Sequence, residues 1–257
     1  MYVNNTLRGK GGAMEKLELF TQEKDNTKLA KSKESPYQAI GLFLSPHKDN
    51  SLGVNLCPFA SDSCVAACLN TSGLAGVFPR ILKARRRKTE LYLADRLGFI
   101  EKVKAEIVVY QRRTKNKRKL VVRLNGTSDI DYSRSGIFET FPLIQFWDYT
   151  KSPYMMKKFL DGKLASNYHL TFSHSGESEN LEQCKQILAR GGNVAVVFDS
   201  AIFPPHFLGF PVKTGEETDL RFLDGNGYVI ALKAKGKAKK ADIAGSFVIH
   251  IDKRKVA

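Results

Sequence analysis

Cys57, Cys64 and Cys68 fall within twelve positions of one another in the stretch Asn55 to Asn70, NLCPFASDSCVAACLN, and the fourth cysteine, Cys184, lies far downstream. Thiolates are soft ligands that select zinc and iron–sulfur clusters. Residues four apart share one face of a helix, so Cys64 and Cys68 point the same way if one helical turn joins them. Pro58, Ser61, Asp62 and Ser63 read as a loop that turns Cys57 back toward them. The alternative is three small apolar side chains filling a core. The polar spacer favours convergence on a metal or cluster, with an iron–sulfur cluster of the 4Fe–4S kind as the expected occupant. Zinc is the alternative and would want a fourth ligand, for which His47, His174 and Asp62 are available. Cys184, beside Leu181, Ile187 and Leu188, is expected in the core.

A second set of chemistry-bearing residues follows short apolar runs. Asn125 and Asp129 follow KLVVRL, Asp148 and Lys151 close PLIQFWDYTK, His174 ends NYHLTFSH, and Asp199 ends NVAVVFD. If each run is a parallel strand, its polar end lies on the face where chemistry gathers in barrels and open sheets. His174 with Asp148 or Asp199 would make an acid–base pair. Asp129, Asp148 and Asp199 together would hold Mg²⁺ for phosphodiester chemistry. Any one of these carboxylates taken singly also reads as a helix N-cap.

The elements that must position these groups read as an α/β series. YQAIGLFLSP is a strand stopped by Ser45-Pro46, and the cysteines come after it. Helices are expected over 77–88 and 94–113, the second with Leu97, Ile100, Val103, Ile107 and Tyr110 as its apolar stripe. Further helices are YMMKKFLDGKLA and ENLEQCKQILARGG, the latter closed by Gly191-Gly192. GYVIALKAKG and SFVIHI are the last strands. PVKTGEETDLRFLDGNG, Pro211 to Gly227, is acidic and reads as a surface β-hairpin. The expected fold is α/β, a parallel (βα) partial-barrel-like core with a cysteine-cluster loop after the first strand. Residues 1–36 are expected as a flexible arm and irregular segment, and 37–257 as one domain.

The chain of 257 residues carries 41 Lys and Arg against 26 Asp and Glu, a net charge of +15. A surface so basic attracts polyanions, and nucleic acid is the commonest of these in a cell. The run KARRRK supplies Arg85, Arg86, Arg87 and Lys88, and KAKGKAKK supplies Lys235 and Lys237, as candidate phosphate contacts. A host protein is the other partner considered. No apolar run is long enough to cross a bilayer and the N-terminus lacks an apolar signal core, so no membrane partner and a cytoplasmic, reducing setting are expected. Four cysteines in such a setting read as ligands or core thiols, not disulfides. Nothing in the sequence fixes the oligomeric state.

Several unusual words in order, CPFASDSCVAACLNTSG, ARRRKTELYLADR, RLNGTSDI, WDYTK, NYHLTFS, GGNVAVVF and DLRFLD with LKAKGKAKK, resemble a family of bacteriophage proteins described as gene product 88-like. The resemblance spans roughly Gly41 to Ile249. It implies a phage origin, a host-cytoplasmic setting and a partial barrel with a cluster, and it brings no reaction with it. The three-thiol arrangement also distantly resembles that of radical-SAM enzymes, whose usual spacing is C-x3-C-x2-C. Here the spacing is C-x6-C-x3-C, and LNGTSD stands where those enzymes carry a glycine-rich run, which speaks against S-adenosylmethionine. The expectation is therefore a metal-binding phage protein, a radical-SAM-like or redox enzyme acting on or near nucleic acid. Against it stands a nonenzymatic basic effector that binds nucleic acid or a host protein and carries structural zinc.

Overall fold

The computed structural model describes residues 18–251 apart from 69, 71–72, 115–116 and 241–244. Six strands lie parallel and adjacent in chain order: β2 (Tyr37–Leu42), β3 (Lys119–Arg123), β4 (Gln145–Thr150), β5 (Tyr168–Ser173), β6 (Val194–Phe198) and β9 (Val229–Lys233). Their sequences are nearly continuous apolar runs because both faces of a parallel sheet are covered. The order rises without reversal until β9, so right-handed crossovers return on one side and put their helices on one face. Those helices include α3 (Pro79–Ala94), α4 (Arg96–Thr114), α6 (Pro153–Leu160) and α7 (Ser178–Ala189). The core on that face joins Ile40, Val122, Phe146, Leu170, Val196 and Ala231 of the strands to Phe99, Val103 and Ile107 of α4, Met156 of α6 and Ile187 of α7.

The alternate residues face the other way. Ala39, Val121 and Trp147 meet Leu29, Phe43 and Leu220 there in a second, smaller core. Period-two alternation thus splits each strand between two cores. Among the described residues the sheet has ten strands and is mostly parallel; antiparallel pairings flank it, β1 (Phe20–Gln22) on β2 and β7 (His206–Phe207) on β8 (Phe210–Thr214). β8 lies parallel to β9, and the two ends of the sheet are not bridged among the described residues. β10 (Val248–Ile249) pairs with the end of β6. Since β9 occupies one edge of β6 along its whole length, β10 continues on the edge where β5 has ended. No described helix is long and apolar enough to cross a membrane.

Four expectations change. The strand before the cysteines is the second, because β1 pairs Phe20 with Leu42 inside the segment read as irregular. Glu106 of α4 fixes β1 by accepting from the N–H groups of Leu19 and Phe20 at 2.8 and 3.0 Å. On α4, Leu97 is 82% exposed and Phe99 takes its place in the core. The helix YMMKKFLDGKLA ends at Leu160, with Gly162 in a left-handed turn at φ +66° that favours glycine. Pro211 to Gly227 is not a surface hairpin: Asp219, Leu220, Arg221 and Asp224 are buried, and Asp219 pairs with Arg123 of β3 at 2.7 Å. Charges inside an acidic stretch look solvated until a partner distant in sequence is known. The arm 1–17 lies outside the described residues.

Candidate functional site

Past β2 the chain turns at Ser45-Pro46 into the cysteine segment. Leu56 N–H donates to His47 O at 3.0 Å, and Asp129 N–H, from the loop after β3, donates to Leu56 O at 2.8 Å. Ser61 caps α1 (Asp62–Ala66), its hydroxyl accepting from Cys64 N–H at 3.1 Å and donating to Ser175 O beyond β5 at 2.5 Å. A serine at this position satisfies an orphan N–H at the helix start. Cys57 therefore lies before α1, Cys64 within it and Cys68 just after it.

All three thiols line one cavity of about 540 Å³. Cys57 Sγ accepts from His47 N–H at 3.4 Å and Cys68 Sγ from Asn70 N–H at 3.5 Å. The Lys151 ammonium neighbours Cys64 and meets Ser173 Oγ at 3.2 Å. Burial pushes the Cys57 thiol up to about 12 and raises Cys68 as well. Burial alone would lower Lys151, but the neighbouring Cys64, Asp129 and Cys57 outweigh it and the net shift is upward. Cys184 is fully buried in the helix-side core, its thiol 3.8 Å from Asn180 Oδ1, apart from the other three.

Asn125, Asp129 and Lys151 line the same cavity. Asp129 accepts from Lys151 N–H at 2.8 Å, and burial raises its carboxyl. Asn125 is held on all sides: its side chain accepts from Ser128 Oγ and Ile130 N–H and donates to Ile130 O. The glycine of LNGTSD is required by closeness, since a Cβ on Gly126 would meet the Phe43 ring at 2.4 Å and Leu42 O at 2.8 Å. Asp148 lies behind this layer, fully buried, accepting from Asn125 N–H at 2.6 Å and Tyr168 OH at 3.0 Å. Burial lifts it to about 7.

A family model, Gene product 88, matches residues 18–248, which is most of the chain. The chain belongs to the gene product 88 family. This agrees with the bacteriophage family that the sequence words resemble. No curated protein and no solved structure matches it.

Besides Asp148, two expected residues of this gene product 88 protein, His174 and Asp199, do not reach the cavity lining. His174 is buried beside it, its Nδ1 without a partner and its imidazole pKa pulled down to about 4 by burial and then by Lys151. Asp199 is exposed and pairs with His250 Nδ1 at 2.9 Å, so it forms no triad of carboxylates with Asp129 and Asp148. The basic run is also divided. Arg85 is buried, hydrogen-bonded to Asn70 and stacked on Phe43, and Lys88 is buried with Nζ on Leu19 O at 2.9 Å. Arg86 and Arg87 are exposed, and Arg86 pairs with Asp49. Lys235 pairs with Glu216 at 2.8 Å, while Lys237 lines the cavity. A run of four cations on a helix cannot face one way, because successive residues are rotated around the axis.

Sequence reasoning missed Lys28 and Tyr149 as cavity residues. Arg123 was visible as the charged end of an apolar run. Lys28 gave no signal, since it belongs to a polar segment whose position depends on tertiary packing.

Among the described residues no group of three or more His, Cys, Asp and Glu side chains is drawn together to hold a metal ion as it stands. The donor chemistry nevertheless fits a thiolate-ligated group. Three thiols border one space, two of them accept backbone N–H bonds of the kind that stabilise sulfur ligands, and a cation neighbours the third. Thiols raised by burial are protonated, so loading would gather them and release their protons.

Proposed function

We propose that this phage protein holds an iron–sulfur cluster through Cys57, Cys64 and Cys68, with the cavity beside it receiving a substrate or redox partner. The observation that carries this reading is that three thiols from one short segment line a single cavity together with Asn125, Asp129 and Lys151. The rising order of parallel strands supports a partial-barrel-like core, in which the ends of β2, β3, β4 and β5 are neighbours around one mouth. A cluster held by three thiols leaves one iron without a protein ligand, and supplies electron transfer or a Lewis-acid contact there. In this chain Lys151 offers charge compensation to thiolates, Asp129 orients Lys151 through its backbone N–H, and the Asn125–Asp148 pair keeps the β3 loop in place. Protein purified without oxygen should be brown and contain iron and acid-labile sulfide in comparable amounts. Colourless protein with one zinc per chain would sink the cluster reading.

The second reading is a nonenzymatic effector that binds nucleic acid or a host protein, with zinc at the thiols. The net charge of +15 favours nucleic acid among its partners. Substituting Arg86, Arg87 and Lys237 together by Gln should then weaken polynucleotide binding and reduce its dependence on salt. Unchanged binding would remove the nucleic-acid role from these residues.

A further inference from the structure

We propose that the cavity has a second end built to bind a phosphate group, formed by Lys28 and Arg123 with Lys237 on the same lining, so that the ligand it receives is a small phosphorylated molecule. This rests on reading the cavity as functional, and is independent of what the thiols hold.

The charges around the cavity do not cancel. Its lining has five cations, Lys28, Arg86, Arg123, Lys151 and Lys237, against two acids, Asp49 and Asp129. Arg86 is committed to Asp49, and Lys151 lies against Asp129 and Cys64. Arg123 spends Nη1 on the buried carboxylate of Asp219 at 2.7 Å, and its Nε has no partner. The Lys28 and Lys237 ammonium groups make no hydrogen bond or ion pair with a described residue. Lys28 sits within electrostatic reach of Arg123, Lys235 and Lys31, with Asp219 as its compensating charge.

Such an arrangement is costly without a ligand. Burial pulls the Lys28 ammonium down to about 8, with Asp219 acting against that pull. A partly desolvated cation with no partner is retained at a cost that an incoming anion would offset. The Arg123 guanidinium lies over the Tyr149 ring at 4.7 Å from its centroid, and Tyr149 OH meets Asp219 at 3.3 Å. The arginine is thereby fixed in orientation before any ligand arrives. An unpaired ammonium within electrostatic reach of a fixed guanidinium, with a second unpaired ammonium on the same cavity lining, suits a dianionic phosphomonoester better than a single carboxylate, because the charge to be matched exceeds one. The volume, about 540 Å³, is that of a small-molecule pocket and exceeds what a phosphate group alone would fill.

The test uses the full chain and inorganic phosphate as probe, against chloride and acetate at equal ionic strength. Phosphate should raise Tm by at least about 2 °C at millimolar concentration, and calorimetry should give one site. Lys28→Met should weaken phosphate binding about 10- to 100-fold and raise Tm in phosphate-free buffer, because it removes a poorly solvated charge. Lys237→Gln serves as a second variant should Lys28→Met fail to fold, and it too should weaken binding. Lys185→Gln, on the outer side of α7, should leave binding as it is. Stabilisation no greater than with chloride, preference for acetate, or equal loss in Lys185→Gln would overturn the proposal. Cys64→Ala separates the two ends: phosphate binding that survives loss of iron supports an anion site of its own, and iron loading without phosphate binding overturns this inference while leaving the cluster intact.

Discussion

The backbone N–H of Asn125 donates to Asp148 Oδ1 at 2.6 Å, which ties the end of β3 to the middle of β4 at the floor of the cavity. The same carboxylate accepts from Tyr168 OH at 3.0 Å and from Asn125 Nδ2 at 3.3 Å. Asp148→Ala would orphan these donors in a site with no water access. The expected cost is about 2–4 kcal/mol, read as a lower urea midpoint. A loss below about 1 kcal/mol would show that the donors find other partners.

Acid should destabilise the protein through its histidines, against an opposing carboxyl. His169 and His174 are held neutral to about 4 by burial, whereas Asp148 keeps its proton up to about 7. Unfolded, the imidazoles titrate near about 6.5 and the carboxyl near about 3.9. Each histidine contributes stability that is present above its unfolded value and is lost as pH falls toward 4. Asp148 contributes stability that is present below its unfolded value and is lost as pH rises through 7. Between these limits two groups oppose one, so their net contribution falls on acidification by up to about 1.4 kcal/mol per pH unit. Asp148→Asn should steepen the fall relative to the parent, and His169→Gln should flatten it. Urea midpoints at three pH values across this range measure both, and an unchanged slope in either variant would contradict the assignment.

The parallel series and the helix positions were legible because apolar runs of strand length alternate with stretches of helical period. The site was legible where its residues are close in sequence, as with Cys57, Cys64 and Cys68, or end such a run, as with Asn125, Asp129 and Lys151. What could not be read depends on partners far along the chain. Asp199 ends a strand like the others, yet β10 lies beside it and draws it to His250. Arg85 and Arg86 are adjacent and identical in type, and only packing against Phe43 and Asn70 decides that one is buried. Lys28 and Asp219, both polar in polar surroundings, become cavity and core residues because the segments around Leu29 and Leu220 pack together on the face of the sheet opposite the helices.

Asp219 balances several charges on that side. It is buried, accepts from Arg123 and Tyr149, and is the compensating charge for Lys28. Burial alone would raise its carboxyl, but Arg123, Lys28 and Arg221 hold it below the ordinary range. Asp219→Ala leaves a buried guanidinium uncompensated and should cost about 3–5 kcal/mol. Arg123→Met with Asp219→Leu removes both charges and should recover most of that loss, since a matched apolar pair carries no desolvation penalty. Thermal unfolding of the three proteins decides it. A double variant as unstable as the single one would mean that the ion pair does more than balance its own charges.

Cysteine substitutions separate ligand from core thiol by opposite signatures. Cys64 is on α1 with its side chain at the cavity and Lys151 beside it, so Cys64→Ala removes no core contact and should leave Tm of the metal-free protein within about 1 °C of the parent. It should nevertheless abolish iron uptake. Cys184 is fully exposed to neighbours and not to solvent, packed in the same core as Ile187 and Leu188. Cys184→Ala should therefore keep the metal and lose about 1 kcal/mol of stability to the small void it creates. Metal analysis and thermal unfolding on the same samples give both signatures at once. Iron lost from Cys184→Ala with unchanged stability would reverse the two roles and bring the fourth thiol into the site.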